Sequence, residues 1–270
     1  MTDDELDQWL NSLHAGLAEV VPSGGVPWPA EPLAALVDEL AALPGAERLA
    51  ARAWLPVELL AGVPHLATCA ARTRGVAHAL DDPRRYAITR PQARIHIAHL
   101  CRDLRLGVAG ETGLHALAVE LSDLLKEPSP HAHVAVRNLA HRLADRVRYE
   151  LEGLLDRIVH RLRAAGSAPR LADAFAGAAE AHAAAERHEV ADLEAALTEP
   201  IHRLVTAVTS MVGVDLAAAD LDGVPLDGVR WSTETRWPPH WQDWVRHNSL
   251  RVAEGVFQIR RRGTGSRPPA

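Results

Sequence analysis

Leucine recurs every five residues at Leu216, Leu221 and Leu226, and Trp231 takes the next place in the series. A smaller apolar residue stands two positions ahead of each centre: Val214, Ala219, Val224 and Val229. A period of five matches neither the 3.6 of a helix nor the 2 of a strand. It matches a square β-solenoid, in which each five-residue face turns two apolar positions inward and leaves its Asp or Gly at the surface or the corner. Four such faces make one coil. The next stretch, W-S-T-E-T-R-W-P-P-H-W-Q-D-W, holds four of the seven tryptophans. Residues 213–260 therefore read as a compact module, with Trp231 and Trp237 suited to closing the apolar end of the coil.

Everything upstream has helical spacing. Thr2 with Glu5 forms a capping-box pattern ahead of Leu6, Trp9/Leu10, Leu13, Leu17 and Val20. Leu33, Leu36, Val37, Leu40 and Leu43 repeat that spacing until Pro44-Gly45. Short helices are expected over 46–54 and 56–61, and longer ones over 64–80, 91–106 and 111–126. The strongest runs over 130–165, with Ser129 as N-cap, Pro130 at the first position and Gly166 past the end. At 1.5 Å per residue it would be about 50 Å long. Two more follow, from Pro169 to His188 and from Pro200 to Val212, and a short one opens at Pro238-Pro239. Gly255 to Arg260 reads as a closing strand.

The expected fold is mainly α: a multi-helix bundle with a long central helix and a small C-terminal cap of one pentapeptide-type coil, a Trp-rich helix and one strand. The divisions are an N-terminal bundle over 1–128, the long helix and its successors over 129–212, the coil and cap over 213–260, and a flexible basic tail over 261–270.

Composition bounds the chemistry. The 270 residues carry no run of about 18 apolar residues. The acidic start, M-T-D-D-E-L-D, is unlike a signal peptide. Cys69 and Cys101 are too few and too far apart for a disulfide framework or a zinc spacing. A cytoplasmic chain with no membrane contact is expected. Lys126 is the only lysine, so 28 of the 29 basic residues are arginine, a bias consistent with a high-GC bacterial genome. The first fifty residues hold nine acids against Arg48, and residues 251–270 hold five arginines against Glu254. Such opposed ends can attract each other within or between chains.

Phosphate-loop, dinucleotide and nucleophile-elbow signatures are absent, so no cofactor is expected. Histidine is plentiful, with 15 copies. His96 and His99 fall at i, i+3; His182 and Glu186 at i, i+4; and Glu199 with His202 has the E-x-x-H spacing of di-iron helical proteins. A di-iron centre needs two such pairs and two further Glu, and only one pair is present. These residues are candidate ligands short of a complete set, and ordinary hydrogen bonding is the simpler reading. Cys101 with a distant His is the corresponding candidate nucleophile pair, against the commoner role of a buried cysteine as a small hydrophobe. The tail arginines Arg260, Arg261 and Arg262 can touch phosphates, but a net charge of −6 argues against a dedicated nucleic-acid binder.

The run D-L-D-G-V-P-L-D-G-V-R-W-S-T-E-T-R-W-P-P, followed by G-V-F-Q-I-R, resembles the C-terminal module of uncharacterised actinobacterial proteins with long Arg/Ala/Leu-rich helical regions. The resemblance implies a partner or appendage of NACHT-type signalling or defence NTPases, with the NTPase on another polypeptide. The favoured expectation is a non-enzymatic regulatory or scaffold protein that works through protein contacts, either with itself or in a hetero-complex. Arg230, Arg236, Trp237, Trp241, Trp244 and the tail arginines are the interaction candidates. A metal- or Cys-dependent helical enzyme and a nucleic-acid-associated factor are the alternatives, and whether a small molecule binds is left open by the sequence.

Overall fold

The computed structural model describes residues 30–83, 86–106, 112–126, 132–184 and 190–260. The capping-box segment, the Ser129-Pro130 pair, Glu186 and the tail from Arg261 lie outside the described residues. Described are nine helices and a three-stranded sheet. The helices are α1 (Ala30–Ala41), α2 (Gly45–Ala50), α3 (Val57–Ala79), α4 (Tyr86–Leu106), α5 (Thr112–Leu124), α6 (Ala132–Ala165), α7 (Pro169–Ala184), α8 (Val190–Thr209) and α9 (Pro239–His247). A 3-10 turn, Ala51–Ala53, extends α2. The strands β1 (Arg230–Ser232), β2 (Ser249–Ala253) and β3 (Val256–Ile259) form an antiparallel sheet in the order β1-β3-β2.

The long apolar stripe becomes α6, whose 34 residues make it about 51 Å long. It passes through two of the three cores. Leu151, Leu154, Leu155, Ile158 and Leu162 pack against α7 and the first half of α3, in a core that residues of α1 and α8 complete. Val136, Leu139, Leu143 and Val147 pack against α5 and the second half of α3, in a core that residues of α4 complete. The width of the stripe is taken up internally at Leu155 and Val159, both buried, while Val134 faces solvent. Gly166, at φ +67°, ends the helix in the left-handed conformation that glycine adopts without steric cost.

Proline placement departs from expectation. Pro64, Pro91 and Pro200 read as helix starts, but each lies inside a helix already under way, in α3, α4 and α8 respectively. The preceding turns are retained by tertiary burial: Leu60 and Val63 ahead of Pro64, Tyr86 ahead of Pro91 and Leu197 ahead of Pro200 are all in contact with a core. Proline removes one backbone donor and crowds the turn before it, a cost that such packing outweighs. The expected breaks at 61–64 and at 91 are therefore not breaks.

The third core belongs to the C-terminal module. Leu216, Leu221, Leu226 and Trp231 are buried, as the five-residue period requires, and Met211 extends the series by one place. Each of the four steps closes with a backbone hydrogen bond three residues back: Val214 to Met211, Ala219 to Leu216, Val224 to Leu221 and Val229 to Leu226. Gly213, Gly223 and Gly228 occupy the third position of three of these turns at φ +71°, +75° and +77°. That position in a type II turn needs a positive φ, which explains the glycine there. Asp215 and Asp220 each accept, through Oδ1, from the amide two residues on. Ser210 then bridges Arg230 and Asp215 bridges Arg236, both in parallel, so the chain returns alongside its own start after about twenty residues. One closing strand was expected; β1 and β2 join it, because their pairing is set by partners and not by local alternation.

Candidate contact surface of the C-terminal module

The module is held to the helices by three contacts. Gly45, at the start of α2, lies so close to Val214 that an added Cβ would overlap its Cγ1. Leu49 is fully buried in the module's own core. Arg52, which is only 6% exposed, donates from Nε to the Pro225 carbonyl and from Nη2 to the Asp227 carbonyl, both at 2.7 Å. Burial holds the Arg52 guanidinium below its ordinary range, and Asp227 and Glu58 partly offset that effect. Arg48 Nη1 donates to the Ala207 carbonyl of α8 at 3.0 Å, close to the point where the turns begin.

Aromatic side chains close the other side. Trp231 stacks on Phe257 across the β1–β3 pair, with centroids 4.8 Å apart, and meets Trp237 edge-on at 6.3 Å. Trp241 meets Trp244 edge-on at 5.4 Å. Trp231 Nε1 donates to Ser249 Oγ at 2.8 Å, and that hydroxyl donates to the Val245 carbonyl at 2.7 Å. The indole nitrogens of Trp237 and Trp241 are enclosed without a hydrogen-bond partner, so large apolar area outweighs an unmade bond at both places.

The interaction candidates therefore divide. Trp237 and Trp241 are buried in the module core, and Trp244 is half-buried against it. Arg230, Arg236 and Arg260 are exposed, and Arg236 Nη1 lies 3.3 Å from Asp215 Oδ2. Two residues without a distinctive sequence signal add exposed apolar area on β2. Leu250 and Val252 on β2 are 52% and 47% exposed. Leu250 pairs with Gln258, which pairs with Arg230, so these three side chains share one face of the sheet. β2 is an edge strand, and an irregularity between Arg251 and Ala253 shortens its regular pairing to Ser249–Arg251. The result is a small apolar patch on a rigid platform with arginines beside it.

The metal and thiol candidates stay apart. His96 and His99 are half-buried on α4, His182 is buried on α7, and Glu199 and His202 are exposed on α8. Burial, together with Arg72 and His99, holds the His96 imidazole below its ordinary range. Among the described residues, no group of three His, Cys, Asp or Glu side chains is placed to hold a metal ion. Cys101 is half-buried, and Cys69 is buried with Sγ 4.0 Å from His65 Nε2.

A cleft between α6 and α7, of about 310 Å³, is lined by Glu152, Asp156, Arg163 and Glu180 above Val159 and two alanines. At its edge, Arg148 Nε donates to Glu152 Oε1 at 2.9 Å, and His182 Nδ1 lies 3.4 Å from that oxygen. Arg148 Nη2 also donates to the His182 carbonyl at 2.8 Å, so this arginine links the two helices. Among the described residues, no helix is long and apolar enough to cross a membrane. No protein-family model, curated protein or solved structure matches the chain.

Proposed function

We propose that this protein is a non-enzymatic adaptor or scaffold whose C-terminal module presents a contact surface to a protein partner. Residues 211–236 act in this reading as a single pentapeptide-type solenoid coil, a rigid base for the small sheet. The observation that carries it is the sheet, where Leu250 is about half exposed on the face it shares with Gln258 and Arg230, and Val252, at the irregular end of β2, is exposed to a similar degree. Exposed Arg260 follows directly after β3, where its amide donates to the Asn248 carbonyl at 2.8 Å. Apolar anchors ringed by arginine suit a partner that offers an apolar side chain and carboxylates. The resemblance of residues 213–260 to modules beside NACHT-type NTPases supports a bacterial signalling or defence setting for that partner.

The test places a photoreactive benzoylphenylalanine at Val252 of the full chain in cells, with Arg246 of α9 as an exposed control position. A protein captured through position 252 and not through 246 is then purified and titrated against the unmodified chain. Leu250→Asp should weaken that binding by about tenfold or more, since it places a carboxylate where an apolar anchor was. Capture of nothing specific at 252, or binding indifferent to Leu250→Asp, overturns the proposal.

A further inference from the structure

α4 is apolar on two opposite faces. Tyr86, Ala93, Ile97 and Leu100 enter the second helical core. On the far side, Ile88, Pro91, Ile95 and Ala98 are exposed, at 75% for Ile88 and 41% for Ile95. The spacings of three, four and three residues align these four side chains in one stripe down the helix. A soluble helix normally shows water its polar side, so a stripe directly opposite the core asks for a cover. The stripe is flanked by exposed Arg94 and Arg102, and the sequence of α4 holds four arginines against one acid, Asp103.

Two long stretches of chain lie outside the described residues. Residues 261–270 carry Arg261, Arg262 and Arg267 and no acid, which makes them electrostatically unsuited to a basic helix. Residues 1–29 carry Asp3, Asp4, Glu5, Asp7 and Glu19 and neither Lys nor Arg. They also carry the helical stripe Leu6, Leu10, Leu13 and Leu17, which matches the α4 stripe in period and complements it in charge. We infer that the N-terminal segment of the chain, residues 3–20, docks intramolecularly on the outer face of α4 over Ile88, Pro91, Ile95 and Ala98. Residues 21–29 supply up to about 30 Å of tether. That approaches the length of α3, about 34 Å for 23 residues, which runs between the core holding α1 and the core holding α4. A second copy of α4 is disfavoured as the cover, because like charges would face each other.

The test uses the full chain with benzoylphenylalanine at Leu13, irradiated at low protein concentration and mapped by peptide mass spectrometry. The expected product is a cross-link within one chain to residues 86–102, reduced about tenfold by the double substitution Ile88→Asp and Ile95→Asp. Both isoleucines are exposed, so the double variant should keep its helical circular dichroism. In parallel, cleavage after Glu19 by a glutamate-specific protease should be about tenfold faster in the double variant, as expected when a docked segment is freed. Arg94→Glu with Arg102→Glu should act in the same direction. A cross-link between two chains assigns the cover to a second copy and overturns the intramolecular docking. A cross-link elsewhere, or none, with cleavage unchanged by the substitutions, overturns it entirely.

Discussion

Arg52 Nη2 donates to the Asp227 backbone carbonyl at 2.7 Å, across 175 residues of sequence. Its Nε makes the companion bond to Pro225, so one guanidinium spans one corner of the turn series and fastens it to the 3-10 turn after α2. The arrangement couples the folding of the module to that of the helices.

Arg52→Met should therefore lower global stability by about 2–3 kcal/mol, since two charge-assisted bonds are lost while the carbonyls stay partly enclosed. Urea denaturation followed by circular dichroism measures the loss. Hydrogen exchange should quicken most over residues 225–229. Unchanged exchange there would show that the corner does not depend on the guanidinium.

Leu221→Asp should be far more disruptive, costing about 4 kcal/mol or more, because it puts an unpaired carboxylate in a core of only about a dozen side chains. Asp222→Ala, one residue away and exposed, should be near neutral. Equal effects of the two substitutions would contradict the inward placement of the five-residue centres.

Gly45→Ala should cost about 1–3 kcal/mol, since the new methyl overlaps Val214 Cγ1. Val214→Ala in the same chain should recover at least half of that loss. Melting temperatures of the four chains in this cycle measure the coupling, and additive effects would exclude a direct clash.

Stability should depend on pH through His96. Its folded-state pKa is held down by burial, then by Arg72 and His99, so the unfolded chain binds the proton more readily. The contribution is fully present above the ordinary histidine range near 6.5 and is lost as pH falls through it toward the depressed folded value. His96→Gln should flatten the change in urea midpoint between pH 7.5 and 5.5. An equally steep change in that variant would assign the dependence to other groups.

The features readable in advance were those that a short window contains. The α6 stripe from Val136 to Leu162 and its Gly166 terminus follow from spacing and from glycine's access to positive φ. The repeat centres Leu216, Leu221 and Leu226 follow from a turn that closes on itself within four residues. The candidate surface was only half legible. Arg230 and Arg260 were marked by charge, but a tryptophan turned into the module core is indistinguishable in sequence from an exposed one, so Trp237 and Trp241 stood among the interaction candidates though both are buried.

By itself the sequence determined the local geometry: which residues form turns, which faces of the helices are apolar, and where α6 ends. Only the tertiary structure decided whether helices run through Pro64, Pro91 and Pro200, that Met211 joins the repeat, and that Leu250 emerges on the sheet face that carries Arg230. These outcomes depend on partners far away in sequence, such as Arg52 with Asp227 or Gly45 with Val214. Hydrophobic burial is non-directional, so a local pattern states that a side chain needs covering and leaves open which surface covers it.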